Sequence, residues 1–202
     1  EQIRLCAAYP KLDISLMRTL PNMTVISPAD AYETYAATMA IAEYDGPVYM
    51  RMGRSPVPTV SKEGEKFTIG KAKVLLEGKD VSLFGTGQMV FNCIEAAEEL
   101  RKEGISAEVV NVSTIKPLDR ETVLASVSGT GCAVTAEEHS IIGGLGSAVS
   151  ELISEELPSP VQRIGTMDMF GESGSPAELF VKYGLTSSDI AEAARRAIKK
   201  KR

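Results

Sequence analysis

The chain has 202 residues, of which 44% are hydrophobic and 24% charged, with a net charge of −5 at pH 7. That suits one or two soluble domains with a sizeable core, and it is too acidic for nucleic acid to be an expected partner. No apolar run approaches the roughly 18 residues that span a bilayer, and Glu1-Gln2-Ile3-Arg4 leads into no long apolar stretch, so neither a membrane span nor a signal peptide is expected.

Cys6, Cys93 and Cys132 have no metal-like spacing and read as buried or free thiols of a reducing, cytoplasmic compartment. His139 is the one histidine of the sequence, so no metal site and no Ser-His-Asp triad is expected.

Ser27-Pro28-Ala29-Asp30 predicts a helix start with Ser27 as the cap, and Tyr32, Tyr35, Ala36, Met39 and Ala42 continue at helical spacing. Asp45-Gly46-Pro47 ends that helix, and residues 48–52 have strand character. Pro56, Pro58, Gly64 and several charges mark residues 56–66 as a linker.

Beyond it, strands and helices alternate. Residues 81–84 read as a strand, 89–103 as a helix and 108–112 as the next strand. Pro117-Leu118-Asp119 opens a helix, and residues 132–135 and 161–164 read as further strands. Helices are expected after Gly143-Gly144-Leu145-Gly146 and from Ser187. This pattern predicts an α/β, three-layer fold with a mostly parallel sheet, preceded by an incomplete α/β segment. The expected organisation is 1–55 as that incomplete segment, 56–66 as the linker and 67–202 as the second domain.

Several residues invite a chemical reading, each beside a plainer one. Gly85-Thr86-Gly87 lies where a phosphate-binding turn would, yet Val90 stands in place of the third glycine, and a tight turn explains the pair equally well. The glycines of 143–146 suit an anion, or simply a close approach of the helix to the sheet. Glu137-Glu138-His139, expected just past a strand, suits acid–base work or a loop histidine satisfied by hydrogen bonds. Arg54 suits binding of an anion, and the basic tail suits a solvated helix end.

Thr135-Ala136-Glu137-Glu138-His139-Ser140-Ile141-Ile142-Gly143-Gly144-Leu145-Gly146 resembles the signature of the transketolase C-terminal domain. So does Phe170-Gly171-Glu172-Ser173-Gly174-Ser175-Pro176, followed by Tyr183-Gly184-Leu185-Thr186. Upstream, Met17-Arg18-Thr19-Leu20-Pro21-Asn22-Met23, Pro28-Ala29-Asp30 and Gly46-Pro47-Val48-Tyr49-Met50-Arg51 are similar to the later part of the family's pyrimidine-binding domain.

The resemblance implies the C-terminal section or subunit of a transketolase, or of the related deoxyxylulose phosphate synthase. Such an enzyme uses thiamine diphosphate and a divalent metal such as Mg to transfer a two-carbon ketol unit between sugar phosphates. It further implies an N-terminal section or subunit as partner and a homodimer or heterotetramer. Arg54 matches an arginine that binds the substrate phosphate. The motif for the diphosphate and metal, and the glutamate that activates the cofactor, fall outside the matched region, so no catalytic residue is expected here. Cys6-Ala7-Ala8-Tyr9-Pro10 replaces the family's Asp-Gly-x-x-His-Gln, with Ala8 near the place of its substrate-contacting histidine. The isolated chain is therefore expected to be inert; a separate binding module for a small anion or a protein is the alternative.

Overall fold

A computed structural model of the chain describes residues 12–53 and 56–201. The first segment forms helix α1 (Asp13–Thr19), strand β1 (Thr24–Ile26), helix α2 (Ala31–Ala42) and strand β2 (Val48–Met50). Then come β3 (Lys73–Leu76), β4 (Val81–Gly85), α3 (Met89–Lys102), β5 (Ala107–Asn111), β6 (Thr114–Lys116) and α4 (Arg120–Thr130). The chain continues through β7 (Ala133–Ser140), α5 (Leu145–Glu156), β8 (Val161–Thr166), α6 (Pro176–Lys182) and α7 (Ser187–Ile198).

Five strands form a sheet in the order β3-β5-β4-β7-β8, parallel throughout except for β3, which runs antiparallel along the edge. Alternation within β4 sends Leu83 to one face and Phe84 to the other, and both are fully buried. Leu83 packs with Met89, Cys93 and Leu100 of α3 and with Ile190 and Ala194 of α7. Phe84 packs with Val123 of α4 and with Val149, Leu152 and Ile153 of α5. A sheet covered on both faces is what near-continuous apolar strands require, and the expected α/β class holds.

The smaller sheet has the order β2-β1-β6, with β1 parallel to β2 and antiparallel to β6. Its third strand is lent by the second half of the chain. The small core behind it is also shared: Ile14 and Val25 pack with Ile115 of β6 and Ala148 of α5.

Two helix starts differ from expectation. Asp30, rather than Ser27, caps α2, accepting a hydrogen bond from the Glu33 amide at 3.0 Å. Ser27 remains extended because its N–H bonds to the Ser113 carbonyl at 2.7 Å. Asp30 also accepts from the amides of Val60 and Ser61 at 2.7 and 2.6 Å, tying the segment after β2 to the start of α2. Burial pushes the Asp30 carboxyl up, but these three amides outweigh it and hold it below its ordinary range. Likewise Asp119 caps α4, so that helix starts at Arg120 rather than Pro117.

Candidate functional site

The residues singled out around Glu137 meet where α1 lies against the second domain. They do not form a loop. β7 runs through Glu137-Glu138-His139 to Ser140 because pleating turns Glu137 and His139 inward, where neither side chain is exposed to solvent.

Glu137 is held by the start of α5. Its two oxygens accept the amides of Leu145 at 2.7 Å and Gly146 at 2.8 Å, donors that a helix leaves free in its first turn. Burial pushes the carboxyl up to about 7, with the same two amides acting in the other direction. The glycine run follows from this approach. A Cβ on Gly144 would stand 1.8 Å from Glu137 Oε2, and one on Gly143 would stand 2.6 Å from Ser15 Cβ. The glycines at 143–146 therefore make room for the protein's own Glu137 carboxyl, which the amides of Leu145 and Gly146 hold.

His139 joins the two halves. Its Nδ1 lies 2.8 Å from the Ser140 carbonyl, while Nε2 accepts the Ser15 amide of α1 at 3.4 Å. These contacts require a neutral ring protonated on Nδ1, and burial, which pushes the ring's pKa down, favours the same form.

Beside it, Arg51 Nε lies 3.2 Å from Asp13, and another guanidinium nitrogen lies 3.4 Å from Glu138. The Tyr49 hydroxyl donates to Asp13 at 2.6 Å. Burial, then Asp13, pushes that hydroxyl's pKa up, so it stays a donor. Arg18 donates to the carbonyls of Gly143 and Gly144 at 2.6 and 3.2 Å and reaches Glu151 at 2.8 Å. Lys116 of β6 donates to the carbonyls of Arg18 and Leu20 at 2.9 and 2.6 Å, closing the end of α1.

The turn at Gly85-Thr86-Gly87 is equally committed. The Gly87 amide donates to the Ser27 carbonyl at 3.1 Å, and a Cβ at Gly87 would meet Ser27 Oγ at 2.8 Å. The Thr86 amide goes to Ala136 at 3.2 Å, and the Met89 amide to Thr86 at 3.3 Å. The first segment thus sits where a phosphate would. Arg54, Cys6 and Ala8 lie outside the described residues.

A cleft of about 310 Å3 between α2, the segment after β2 and the edge of the large sheet is lined by Tyr32, Glu33, Lys62, Lys66, Phe67 and Asn111. At its floor Glu33 accepts from Asn111 at 2.9 Å and Ser113 at 2.6 Å, and its other oxygen from the Ala29 amide at 2.6 Å. That carboxylate, too, is spent on structure.

The family model for the transketolase C-terminal domain matches residues 70–190, and the model for the transketolase pyrimidine binding domain matches residues 9–59. The chain belongs to the transketolase family.

Over 189 residues it is 48% identical to the 6-deoxy-6-sulfo-D-fructose transketolase subunit SqwH of Clostridium sp. (strain MSTE9), covering 94% of this chain and 59% of that protein. A putative transketolase C-terminal section of Methanocaldococcus jannaschii is 45% identical, over 93% of this chain and 60% of its own length. A solved structure described as a split-gene transketolase, an inactive β4 tetramer, superposes with a TM-score of 0.93 at 51% identity. That match covers 95% of this chain and 63% of the solved one. The chain thus spans about 60% of the length of these curated relatives.

Membership of this family implies dependence on thiamine diphosphate. The described residues do not by themselves fit that group. The carboxylates of Glu137, Glu33 and Asp13 are already bonded to amides, hydroxyls or Arg51, and among the described residues no cluster of His, Cys, Asp and Glu could hold a metal. The junction of Asp13, Tyr49, Arg51 and Glu138 had no local signal in the sequence. Glu137 had one: a carboxylate on a strand facing a helix that starts on glycines.

Proposed function

We propose that the chain is the C-terminal section of a transketolase. An N-terminal section would bring the diphosphate and metal sites, and together they would transfer a two-carbon ketol unit between sugar phosphates. The observation that carries this reading is the pairing of two family matches, in order, with a first segment whose described strands β1 and β2 share a sheet with β6 of the second domain. The chain's contribution is then positional: it holds the pyrimidine-domain tail rigidly against the C-terminal domain through Arg18, Arg51 and His139. Alone it is inert, and it self-associates; the β4 assembly of the similar split-gene protein supports this. The free, buried thiols of Cys93 and Cys132 support a reducing, cytoplasmic location.

The test is to combine the chain with an N-terminal section from the same source, thiamine diphosphate and Mg, and to assay ketol transfer. Activity is expected only in the mixture. Transfer by the chain alone, or none from a stable mixed complex, would overturn the proposal. In the active mixture Arg54→Ala should raise KM for a phosphorylated substrate about tenfold or more, the effect of losing a charged hydrogen bond.

A further inference from the structure

Glu33 is committed to the fold, but other groups of the cleft beside α2 are not. Lys62, Lys66, Lys71 and Lys73 line it, against the carboxylates of Glu33 and Glu65. In a chain of net charge −5 that is a local concentration of positive charge. Lys73 pairs with Glu65, and Lys71 lies 3.4 Å from Glu121 and 3.6 Å from Asp119. Among the described residues no hydrogen bond or ion pair engages the ammonium of Lys62 or Lys66, both exposed at the rim; Lys62 acts on Glu65 only from a distance.

The floor lacks an acceptor. Asn111, the last residue of β5, is 2% exposed. Its amide nitrogen carries two N–H donors; one goes to Glu33 at 2.9 Å, and the second has no acceptor among the described residues. Its carbonyl oxygen lies 2.9 Å from the Ser113 hydroxyl. A buried N–H left open at the bottom of a cleft is a place for a ligand's acceptor. The walls are already fixed. Val60 and Ser61 hold to Asp30, and the Glu65 amide closes a turn onto Lys62 at 3.2 Å. On the far side the Gly70 and Ala72 amides reach Thr114 and Asp119 at 3.1 and 3.0 Å.

Charge sets which way a ligand lies. Glu33 at the floor repels an anion, so a phosphate stays at the rim with Lys62 and Lys66. The uncharged end then passes Tyr32 and Phe67, whose rings favour a flat, apolar body, and ends at the Asn111 N–H. The volume of about 310 Å3 is at the small end for ligand sites. We propose that this cleft binds a nucleoside monophosphate, with its phosphate on Lys62 and Lys66, its base against Tyr32 and Phe67, and an acceptor atom of the base on Asn111.

The test titrates the full chain with adenosine 5′-monophosphate by calorimetry, beside adenosine, ribose 5-phosphate and inorganic phosphate. Adenosine 5′-monophosphate should bind saturably, and each of the other three at least about tenfold more weakly. Lys62→Ala/Lys66→Ala should weaken it about tenfold or more while leaving adenosine unchanged. Phe67→Ala should weaken both. Lys79→Ala/Lys102→Ala, which removes two exposed lysines outside the cleft, should bind as the wild type does. Far-UV circular dichroism checks that each variant folds, and bound adenosine 5′-monophosphate should slow amide exchange at residues 61–68.

No saturable binding of adenosine 5′-monophosphate would overturn the proposal. Ribose 5-phosphate binding as tightly would overturn it too, since the base would then contribute nothing. So would undiminished binding by the Lys62/Lys66 variant, or an equal loss in the Lys79/Lys102 variant. The measurement uses the chain alone, so its outcome is independent of the ketol-transfer assay.

Discussion

The two sheets are stabilised in different ways. The five-stranded sheet has a core on each face, built mainly from its own strands and from α3, α4, α5 and α7, with Tyr183 and Leu185 joining on the α3–α7 side. The three-stranded sheet takes one strand and half of its small core from the other domain. What holds the first segment is therefore less its own apolar burial than a set of directed contacts: Asp13 with Arg51, Arg18 with the glycine carbonyls, and Ser15 with His139. A region organised by few, specific contacts should open locally, while one organised by a closed core should open only globally.

Core truncation gives the largest expected effect. Leu83→Ala should destabilise the whole chain by about 2–5 kcal/mol, read as a lowered urea midpoint. Ile14→Ala should instead speed amide exchange at residues 24–26 and 48–50 while leaving β4 and β7 protected. If both variants unfolded the chain as one cooperative unit, the contrast between the sheets would fail.

The buried carboxylate offers an intermediate effect. Burial raises the pKa of Glu137 in the folded chain, to about 7, above its value in the unfolded chain. Its contribution to stability is therefore complete at pH below the unfolded pKa and is lost as pH rises toward 7. Glu137→Gln removes that titration at the fixed cost of presenting an NH2 to one helix amide. Relative to wild type, the variant should gain stability between about pH 5 and 7, by up to about 1.4 kcal/mol per unit. Parallel pH profiles for the two proteins in urea would show that Glu137 titrates normally.

Helix caps give the smallest effect and probe the contrast most finely. Thr186→Ala should cost about 1 kcal/mol, because that side chain caps only its own helix, α7. Asp30→Ala should cost about 2 kcal/mol, since the amides of Val60 and Ser61 lose their acceptor as well. It should also expose residues 56–66 to limited proteolysis; equal effects on stability and cleavage would mean that this segment is not held by Asp30.

Most of the large sheet was readable because its strands are short apolar runs separated by helix-period segments and glycines. β6 was not. Thr114-Ile115-Lys116 is too short for a period, and its partner lies in another part of the chain. β7 looked shorter than it is because Glu137-Glu138-His139 is polar, yet Glu137 and His139 face inward to reach helix amides and α1. α6 carried a signal that was overlooked: Ser175, Pro176 and Glu178 form a capping box with proline in the first turn. The sequence left both a close approach and an anion site open for the glycine runs, and nothing in their spacing named Glu137 or Ser27 as the groups that approach them.

The loan of β6 also orders events in time. During synthesis β1, with its buried Val25 and Ile26, leaves the ribosome long before the strand it pairs with, and that strand is itself positioned by β5 and α4 of the larger domain. The earlier of the two segments is thus completed late, since non-local pairing waits for the intervening chain to fold. Until then Val25 and Ile26 sit on an unpaired strand edge, the kind of surface that chaperones shield, so yield in the cell should depend on how quickly the second domain forms.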